Sequence, residues 1–161
     1  MNIIIGCVAE YTWIENILKE ELSMKNAATC SINRQKCETE WKNWTPKRGE
    51  IFMVDLGSDN MDSEQQGVRP AVIISNDIGN RMSGIVTIAP LTTKNKVLPK
   101  IHVHIPKKYG LKFDSYALTE RIRSVSKRRF FYNNRINKVG VLPEYKMEEL
   151  RDAVMFELGL T

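Results

Sequence analysis

The chain has 161 residues, 42% of them hydrophobic and 27% charged, which suits one folded domain with at most a small appendage and excludes a generically disordered protein. No apolar run approaches the ~20 residues of a membrane-spanning helix, and the N-terminus lacks the basic lead-in of a secretory signal, so we expect a cytoplasmic protein that does not enter the membrane. A net charge of +5 and a pI near 9.1 favour an anionic partner.

The charge is unevenly distributed along the chain. Residues 1–45 have a net charge of −1, whereas residues 46–161 have a net charge of +6. Within the second part, residues 107–139, here called the basic band, hold ten Lys and Arg against two acidic residues, a net charge of +8. A phosphate backbone would attract such a band, and a solubilising lysine-rich surface explains it equally well.

Residues 1–45 are predicted to form a helical appendage, separated from the main domain at the turn that begins with Pro46. Apolar residues between Trp13 and Leu22 follow helical spacing. The segment is too short to hold a core of its own, so we expect it to pack on the main domain or on another chain. Its three cysteines cannot form a closed disulfide set, fit a reducing compartment and lack metal-site spacing; they are Cys7, Cys30 and Cys37.

From Glu50 onward the sequence changes to short β-type segments separated by turns such as 76–80. The predicted strands are 51–56, 71–75, 84–91, 101–105, 116–123 and 138–142. A short helix capped by Ser126 is predicted next. The chain then closes with a helix that begins at Pro143 and ends at Gly159, and its apolar face is formed by Met147, Leu150, Val154 and Leu158. This pattern indicates a mainly β fold, a small bent antiparallel barrel with helices, rather than βαβ units.

The motifs of common hydrolytic and phosphate-binding enzymes do not occur in the sequence. His102 and His104 are the only histidines, and as alternate residues of one strand they project from the same face, which allows a two-histidine metal site. No Asp, Glu or Cys with ligand spacing joins them. The sequence therefore favours histidines that face solvent, and it predicts no metal and no cofactor.

One loop-to-strand junction, residues 62–70, has a side chain suited to a phosphate. Pro70 biases Arg69 towards an extended backbone and so directs its guanidinium. The alternative is an ion pair with Glu64 that only closes the loop. Thr92 and Thr93, at the end of the strand 84–91, are ordinary turn formers that could also donate to a phosphate oxygen. The residues themselves therefore predict a basic β-barrel and leave its oxyanion site undecided.

Several short motifs follow one another in a specific order along the main domain. They are Lys47-Arg48-Gly49-Glu50-Ile51, Ser63-Glu64-Gln65, Gly67-Val68-Arg69-Pro70-Ala71-Val72-Ile73-Ile74, Asn76-Asp77, Pro90-Leu91-Thr92-Thr93 and Glu120-Arg121-Ile122-Arg123. In this order they resemble the MazF/PemK (Kid) toxins of bacterial type II toxin–antitoxin systems, over about residues 46–160. The extension 1–45 has no counterpart in the short members of that family.

The resemblance implies an SH3-like small barrel of the MazF/PemK/CcdB type with a C-terminal α-helix, a homodimer and a cognate antitoxin as partner. It implies a metal-independent endoribonuclease that cleaves single-stranded mRNA at specific sequences and inhibits growth. In that reaction the ribose 2′-hydroxyl attacks the adjacent phosphate and leaves a 2′,3′-cyclic phosphate and a 5′-hydroxyl.

The resemblance also implies roles for individual residues. Arg69 and Thr92 correspond to the catalytic residues of the family, and Glu64 supports them. The implied RNA-binding residues are Ser63, Gln65, Asn76, Thr93, Glu120, Arg121 and Arg123. Because Arg121 stands where the family usually has glutamine, and arginine only donates hydrogen bonds, we expect a different base preference at that position.

Two further functions remain compatible with such a barrel. One is a gyrase poison like CcdB, which performs no RNA chemistry and would not need Arg69 beside Thr92. The other is a non-cleaving module that binds RNA or an antitoxin. The extension 1–45 either modulates access to the RNA groove or is a tethered appendage without a catalytic role.

Overall fold

In the computed structural model, the described residues are 43–57, 66–94, 97–132 and 135–160. They all belong to one of the two compact units into which the chain divides, Glu40–Thr161. Only the last three positions of the expected helical appendage belong to the described residues. Cys7, Cys30 and Cys37 lie outside the described residues. Its helical character and its boundary at residue 45 stay predictions.

The described residues form a mainly β fold, as the sequence predicts. The strands are β1 (Glu50–Asp55), β2 (Val68–Ile73), β3 (Ile85–Thr92), β4 (His102–Ile105), β5 (Ser115–Leu118), β6 (Arg123–Ser126), β7 (Phe131–Tyr132), β8 (Arg135–Ile136) and β9 (Lys138–Val141), and the α-helices are α1 (Asp77–Met82) and α2 (Glu144–Glu157). Seven strands pair antiparallel in one sheet, in the order β4-β5-β3-β2-β1-β9, with β6 also paired to β3. The sheet curls into a half-barrel, and α2 packs on it.

The sheet has a separate apolar cluster on each face, because successive side chains of a strand point to opposite sides. The first, here called the α2 face, bears Ile51, Val72, Ala89 and Leu91, and these pack with Met147, Leu150 and Ala153 of α2. The second, here called the Phe130 face, bears Phe52, Val54, Ala71, Ile73, Val86 and Ile88, and these pack with Phe130 and Trp44. The ring centroid of Trp44 lies 5.0 Å from that of Phe52 and 4.9 Å from that of Phe130. Trp44, which lies just before the predicted boundary, is therefore part of this apolar cluster.

The motif at residues 47–50 holds the start of β1 in place. Gly49 donates its N–H to the carbonyl of Ile73 (2.8 Å), and its own carbonyl accepts from Leu142 (2.9 Å). The carboxylate of Glu50 binds the ammonium of Lys138 at 2.6 Å. These bonds join the ends of three neighbouring strands, so the contacts of this motif are structural.

The prediction of one strand over residues 116–123 is wrong. The structure has two strands there, β5 and β6, joined by a 3-10 helix at Thr119–Arg121. Both strands lie along the same edge of β3, where β6 pairs with its first half and β5 with its last two residues. The hydroxyl of Thr119 donates to the carbonyl of Ile101 at 2.7 Å and fixes the turn between them. Such a long-range bond leaves no trace in the local pattern of apolar residues.

The prediction of a turn at residues 76–80 is also wrong, because these residues begin α1. Asn76 is the N-cap of that helix, and its Oδ1 accepts from the backbone N–H of Gly79 at 2.7 Å. The side chain of Asn80 is buried and bonds Ser75. Asn, Asp and Gly are frequent both in turns and at helix starts, which explains the error.

The two remaining helical predictions are largely correct. Ser126 caps a 3-10 helix at Lys127–Phe130 and accepts from the N–H of Arg128. Gly159 ends α2 with φ +67°, and the N–H of Leu160 donates to Met155. Pro143 is the N-cap of α2 rather than its first residue. None of the helices among the described residues is long and apolar enough to cross a membrane.

The buried face of α2 differs in part from the predicted one. Met147 and Leu150 are buried as expected, but Ala153 takes the third position in place of Val154. The side chain of Leu158 is 63% exposed, because it lies beyond the last helical turn. Ala153 is buried in the apolar cluster of the α2 face.

Candidate active site

Arg69 and Thr92 lie on neighbouring strands, just past the point where the pairing of these strands ends. The last Cα pair between β2 and β3 is Ala71 opposite Pro90, and the same register continued by two residues sets Arg69 opposite Thr92. Residues opposite each other in antiparallel strands project from the same face. Both side chains therefore lie on the Phe130 face, where Val54 of its apolar cluster is the β1 residue opposite Arg69.

Arg69 is held in an extended backbone at the start of β2, as Pro70 predicts, with Val54 of β1 opposite it. Its Nε donates to the carbonyl of Gln66 at 2.6 Å. This bond uses one of the five N–H donors of the guanidinium and fixes its direction. Ser63, Glu64 and Gln65, which precede Gln66 in the sequence, lie outside the described residues. Their expected roles and the alternative ion pair between Arg69 and Glu64 therefore stay predictions.

Thr92 is buried, with 7% of the residue exposed, at the end of β3. Its Oγ1 accepts from the backbone N–H of Lys94 at 3.2 Å, which leaves the hydroxyl proton able to donate elsewhere. Thr92 lines a cavity of about 310 Å³. The other lining residues are Lys94, Leu98, His102, Leu118, Glu120 and Arg121. The structure thus brings three of the predicted site residues together, Thr92, Glu120 and Arg121.

Glu120 and Arg121 reach this cavity from the 3-10 helix between β5 and β6, and not from a strand as the sequence predicted. About a quarter of the Glu120 side chain is exposed (24%), and a third of the Arg121 side chain (35%). The Nε of Arg121 lies 3.4 Å from Oε1 of Glu120. The cavity therefore presents a carboxylate and a guanidinium side by side, which together accept and donate hydrogen bonds.

His102 is a site residue that the sequence analysis missed. Only 5% of its side chain is exposed, so the expectation of a solvent-facing histidine is wrong here, although it holds for His104, whose side chain is 46% exposed. The N–H of Leu98 donates to Nδ1 at 3.0 Å, which assigns the ring proton to Nε2. Nε2 donates to Oε1 of Glu120 at 3.1 Å. His102 therefore fixes the carboxylate that faces the cavity.

Arg69, Asn76, Thr93 and Arg123 are not among the residues that line this cavity. Asn76 follows the opposite end of β2, where its side chain caps α1. Thr93 is exposed just after β3. Arg123 donates from Nη2 to the carbonyl of Leu56, just after β1, at 3.2 Å. Their expected contacts with RNA stay predictions.

Part of the basic band stabilises the fold. Lys138 pairs with Glu50, and Nη1 of Arg129 donates to the carbonyl of Asp55 at 3.1 Å. Lys127 is only 3% exposed, and its burial lowers the pKa of its ammonium group. The net charge of residues 107–139 therefore overstates the number of cations that this band offers to a ligand. Within the described ranges, no three side chains of His, Cys, Asp or Glu are grouped as metal ligands.

Comparison with known proteins identifies the family of this chain. Residues 47–158 match the model of the PemK-like, MazF-like toxins of type II toxin–antitoxin systems. The chain is 41% identical over 116 residues to Endoribonuclease MazF of Staphylococcus saprophyticus, a match that covers 71% of this chain and 92% of that protein. The residues that match the family model include Arg69, Thr92, His102 and Glu120.

Solved structures share the fold of the matched segment. The crystal structure of MazF from Deinococcus radiodurans superposes with a TM-score of 0.60 at 24% identity, covering 72% of this chain and 98% of that one. An endoribonuclease from Mycobacterial species, solved in complex with its cognate antitoxin, gives a TM-score of 0.57 at 24% identity, covering 72% and 97%. Fold and sequence therefore agree, and the chain belongs to the PemK-like, MazF-like toxins of type II toxin–antitoxin systems.

Proposed function

We propose that this protein is the toxin of a type II toxin–antitoxin system and acts as a sequence-specific endoribonuclease on single-stranded mRNA. The observation that supports the proposal is the register of β2 and β3, which ends at Ala71 and Pro90 and, continued by two residues, would set Arg69 opposite Thr92. The similar protein of Staphylococcus saprophyticus is named as an endoribonuclease. A phosphate bound between the two side chains would receive hydrogen bonds from both.

The proposed reaction is a transesterification within the RNA, which needs no metal ion. The 2′-hydroxyl of a ribose loses its proton as its oxygen attacks the adjacent phosphorus, the bond from phosphorus to the 5′-oxygen of the next nucleotide breaks, and the leaving oxygen takes up a proton. The products are a 2′,3′-cyclic phosphate and a 5′-hydroxyl. Because the nucleophile belongs to the substrate, the protein has to hold it in line and stabilise the charge that develops on the phosphoryl oxygens.

Arg69 and Thr92 have the chemistry for this second task. A guanidinium is always protonated in proteins, so Arg69 acts as a fixed cationic donor and not as a proton carrier. The hydroxyl of Thr92 donates from a buried position, where a hydrogen bond to an anion is strong because little water competes. Glu64 completes the site as a supporting residue in this proposal.

Glu120 and Arg121 read bases of the RNA in this proposal. The bases of single-stranded RNA expose their hydrogen-bonding edges, so a carboxylate selects amino groups and a guanidinium selects acceptors such as the O6 and N7 of guanine. His102 would contribute indirectly, because its bond orients Glu120. This assigns His102 a positioning role.

Two substitutions at His102 separate its two hydrogen bonds. His102→Asn keeps an acceptor for the N–H of Leu98 and removes the donor to Glu120, whereas His102→Gln keeps a donor near the position of Nε2. We expect the asparagine variant to raise KM for a cleavable RNA about fivefold with little change in kcat, because the loss of one hydrogen bond frees the carboxylate. The glutamine variant should stay close to the wild type.

Steady-state cleavage of one short RNA by the three proteins checks this prediction, with thermal unfolding as the control for a general loss of stability. A purely structural role of His102 would be indicated if both variants lost kcat and stability to the same extent. Equal KM values for wild type and His102→Asn would contradict the positioning role directly.

The proposed partners are RNA, a cognate antitoxin and a second copy of the chain. An acidic antitoxin segment would be attracted to the exposed cations of the basic band. We place the reaction in the cytoplasm, where mRNA is found.

Incubation of the purified protein with a long RNA in EDTA tests the proposed activity. Fragments that start with a 5′-hydroxyl at a recurring sequence are the expected result, and mapping their 5′ ends reveals the recognition sequence. Intact RNA together with inhibited DNA supercoiling would show a gyrase poison instead. Intact RNA that stays bound would show a non-cleaving module.

A further inference from the structure

Tyr116 and His104 continue the row of side chains that contains Arg69 and Thr92. Thr92 is directly opposite Tyr116 on β5, and Tyr116 is directly opposite His104 on β4. Opposite residues project from the same face, and neighbouring strands lie ~4.8 Å apart. The two rings therefore stand one and two strand spacings from Thr92, on the same side of the sheet.

The two rings form a pair that solvent can reach. Their centroids are 5.3 Å apart and their planes are inclined by 48°. The ring of Tyr116 is partly buried, whereas the His104 side chain is 46% exposed and has the carboxylate of Asp114 at 3.9 Å from Nε2. Aromatic faces at the surface of a nucleic-acid site are typical places for bases to stack.

We propose that Tyr116 and His104 form a stacking platform for an unpaired base next to the scissile phosphate. The proposal rests on the proposed function, which places that phosphate between Arg69 and Thr92. A base stacked on Tyr116 fixes the sugar that carries it, and this orients the adjoining phosphodiester for in-line attack. Because every base has an aromatic face, the platform contributes affinity and position rather than sequence choice.

A binding experiment with two uncleavable strands tests the platform. The probes are a fluorescent single-stranded DNA of random sequence, which lacks the 2′-hydroxyl, and an abasic strand of the same length and charge. The variants are Tyr116→Val, which keeps a strand-forming residue without the ring, and Tyr116→Phe, which keeps the ring. Tyr116→Val should bind the base-bearing strand about tenfold more weakly and the abasic strand unchanged, and Tyr116→Phe should bind both like the wild type.

Two results would overturn the platform. If Tyr116→Val binds the base-bearing strand with the affinity of the wild type, stacking on Tyr116 is excluded. If its affinity falls equally for both strands, the effect of the substitution is a general structural one. If Tyr116→Val does not fold, His104→Ala, which removes the exposed ring, is compared on the same two strands. Unchanged binding of the base-bearing strand, or an equal loss of affinity for both strands, would again overturn the platform.

Cleavage of a long RNA by the same proteins separates this proposal from the proposed function. If base binding depends on Tyr116 but the wild type leaves RNA intact, the platform proposal stands and the nuclease proposal is overturned. If the wild type cuts RNA and Tyr116→Val binds the base-bearing strand as tightly as the wild type does, the nuclease proposal stands and the platform proposal is overturned. A wild type that binds neither strand overturns the platform, and the cleavage result then decides the nuclease independently.

Discussion

Arg69→Ala is expected to lower the rate of RNA cleavage by about 10³-fold, the effect of removing one preorganised donor from a developing oxyanion. The guanidinium is directed by its bond to the carbonyl of Gln66, and the register of β2 and β3, continued by two residues, sets position 69 opposite position 92. Loss of that bond to Gln66 costs only about 1 kcal/mol of stability. The variant should therefore stay folded and lose activity.

Single-turnover cleavage of one RNA, followed by the appearance of 5′-hydroxyl ends, measures this loss. Arg69→Lys is the matched control, because it keeps the charge and loses the planar fork, so its rate should lie between those of wild type and alanine variant. Thr92→Ala and Thr92→Ser form a second pair, in which only the serine keeps a hydroxyl. Cleavage by folded Arg69→Ala at the rate of the wild type would remove Arg69 from the mechanism.

Gly140→Ala is expected to lower the free energy of unfolding by at least about 3 kcal/mol, the upper range for overpacked sites. A Cβ at Gly140 would lie 1.8 Å from the carbonyl oxygen of Tyr109, and a Cβ at Gly110 would lie 2.0 Å from that of Val139. The two chain segments thus touch through their backbones. Gly140 is also paired with Ile51 of β1, so it cannot withdraw without breaking the sheet.

Urea unfolding measures this effect, and Gly67→Ala is its control. Gly67 has φ +70°, and a Cβ there would have no atom of the described residues within 4 Å, apart from its chain neighbours. Alanine at this position is penalised only for adopting a left-handed backbone conformation, which lowers the free energy of unfolding by about 1–2 kcal/mol. A Gly140→Ala variant that unfolds at the same urea concentration as Gly67→Ala would show that the contact between residues 109 and 140 is loose.

The sequence predicted those elements that are determined by nearby residues. The apolar segments at β1 and β3 and the helical repeat of α2 depend on neighbours within a few positions, and the structure contains all of them. The division of residues 116–123 depends on the bond from Thr119 to Ile101, which local spacing does not reveal. The start of α1 was missed because a capping asparagine looks like a turn residue.

The candidate site was predictable to a similar degree. The family resemblance implied Arg69 and Thr92 as members of two separate motifs. The pairing of β2 with β3 shows that these motifs lie on neighbouring strands. His102 was missed because its partner Glu120 is 18 residues away, across a turn that the sequence did not predict. Tyr116 and His104 became recognisable as a pair only when the register of β4 and β5 was known.

The early end of the ladder between β2 and β3 has a mechanical consequence. Arg69 is held by β1 through its pairing with Val54, whereas Thr92 is held by β5 through Tyr116. The last pair between their own strands involves Pro90, which has no N–H to bond across. The gap between the two side chains is therefore set by the curvature of the sheet. A change in that curvature would therefore change the distance between the two side chains, while their pairings with Val54 and Tyr116 stay intact.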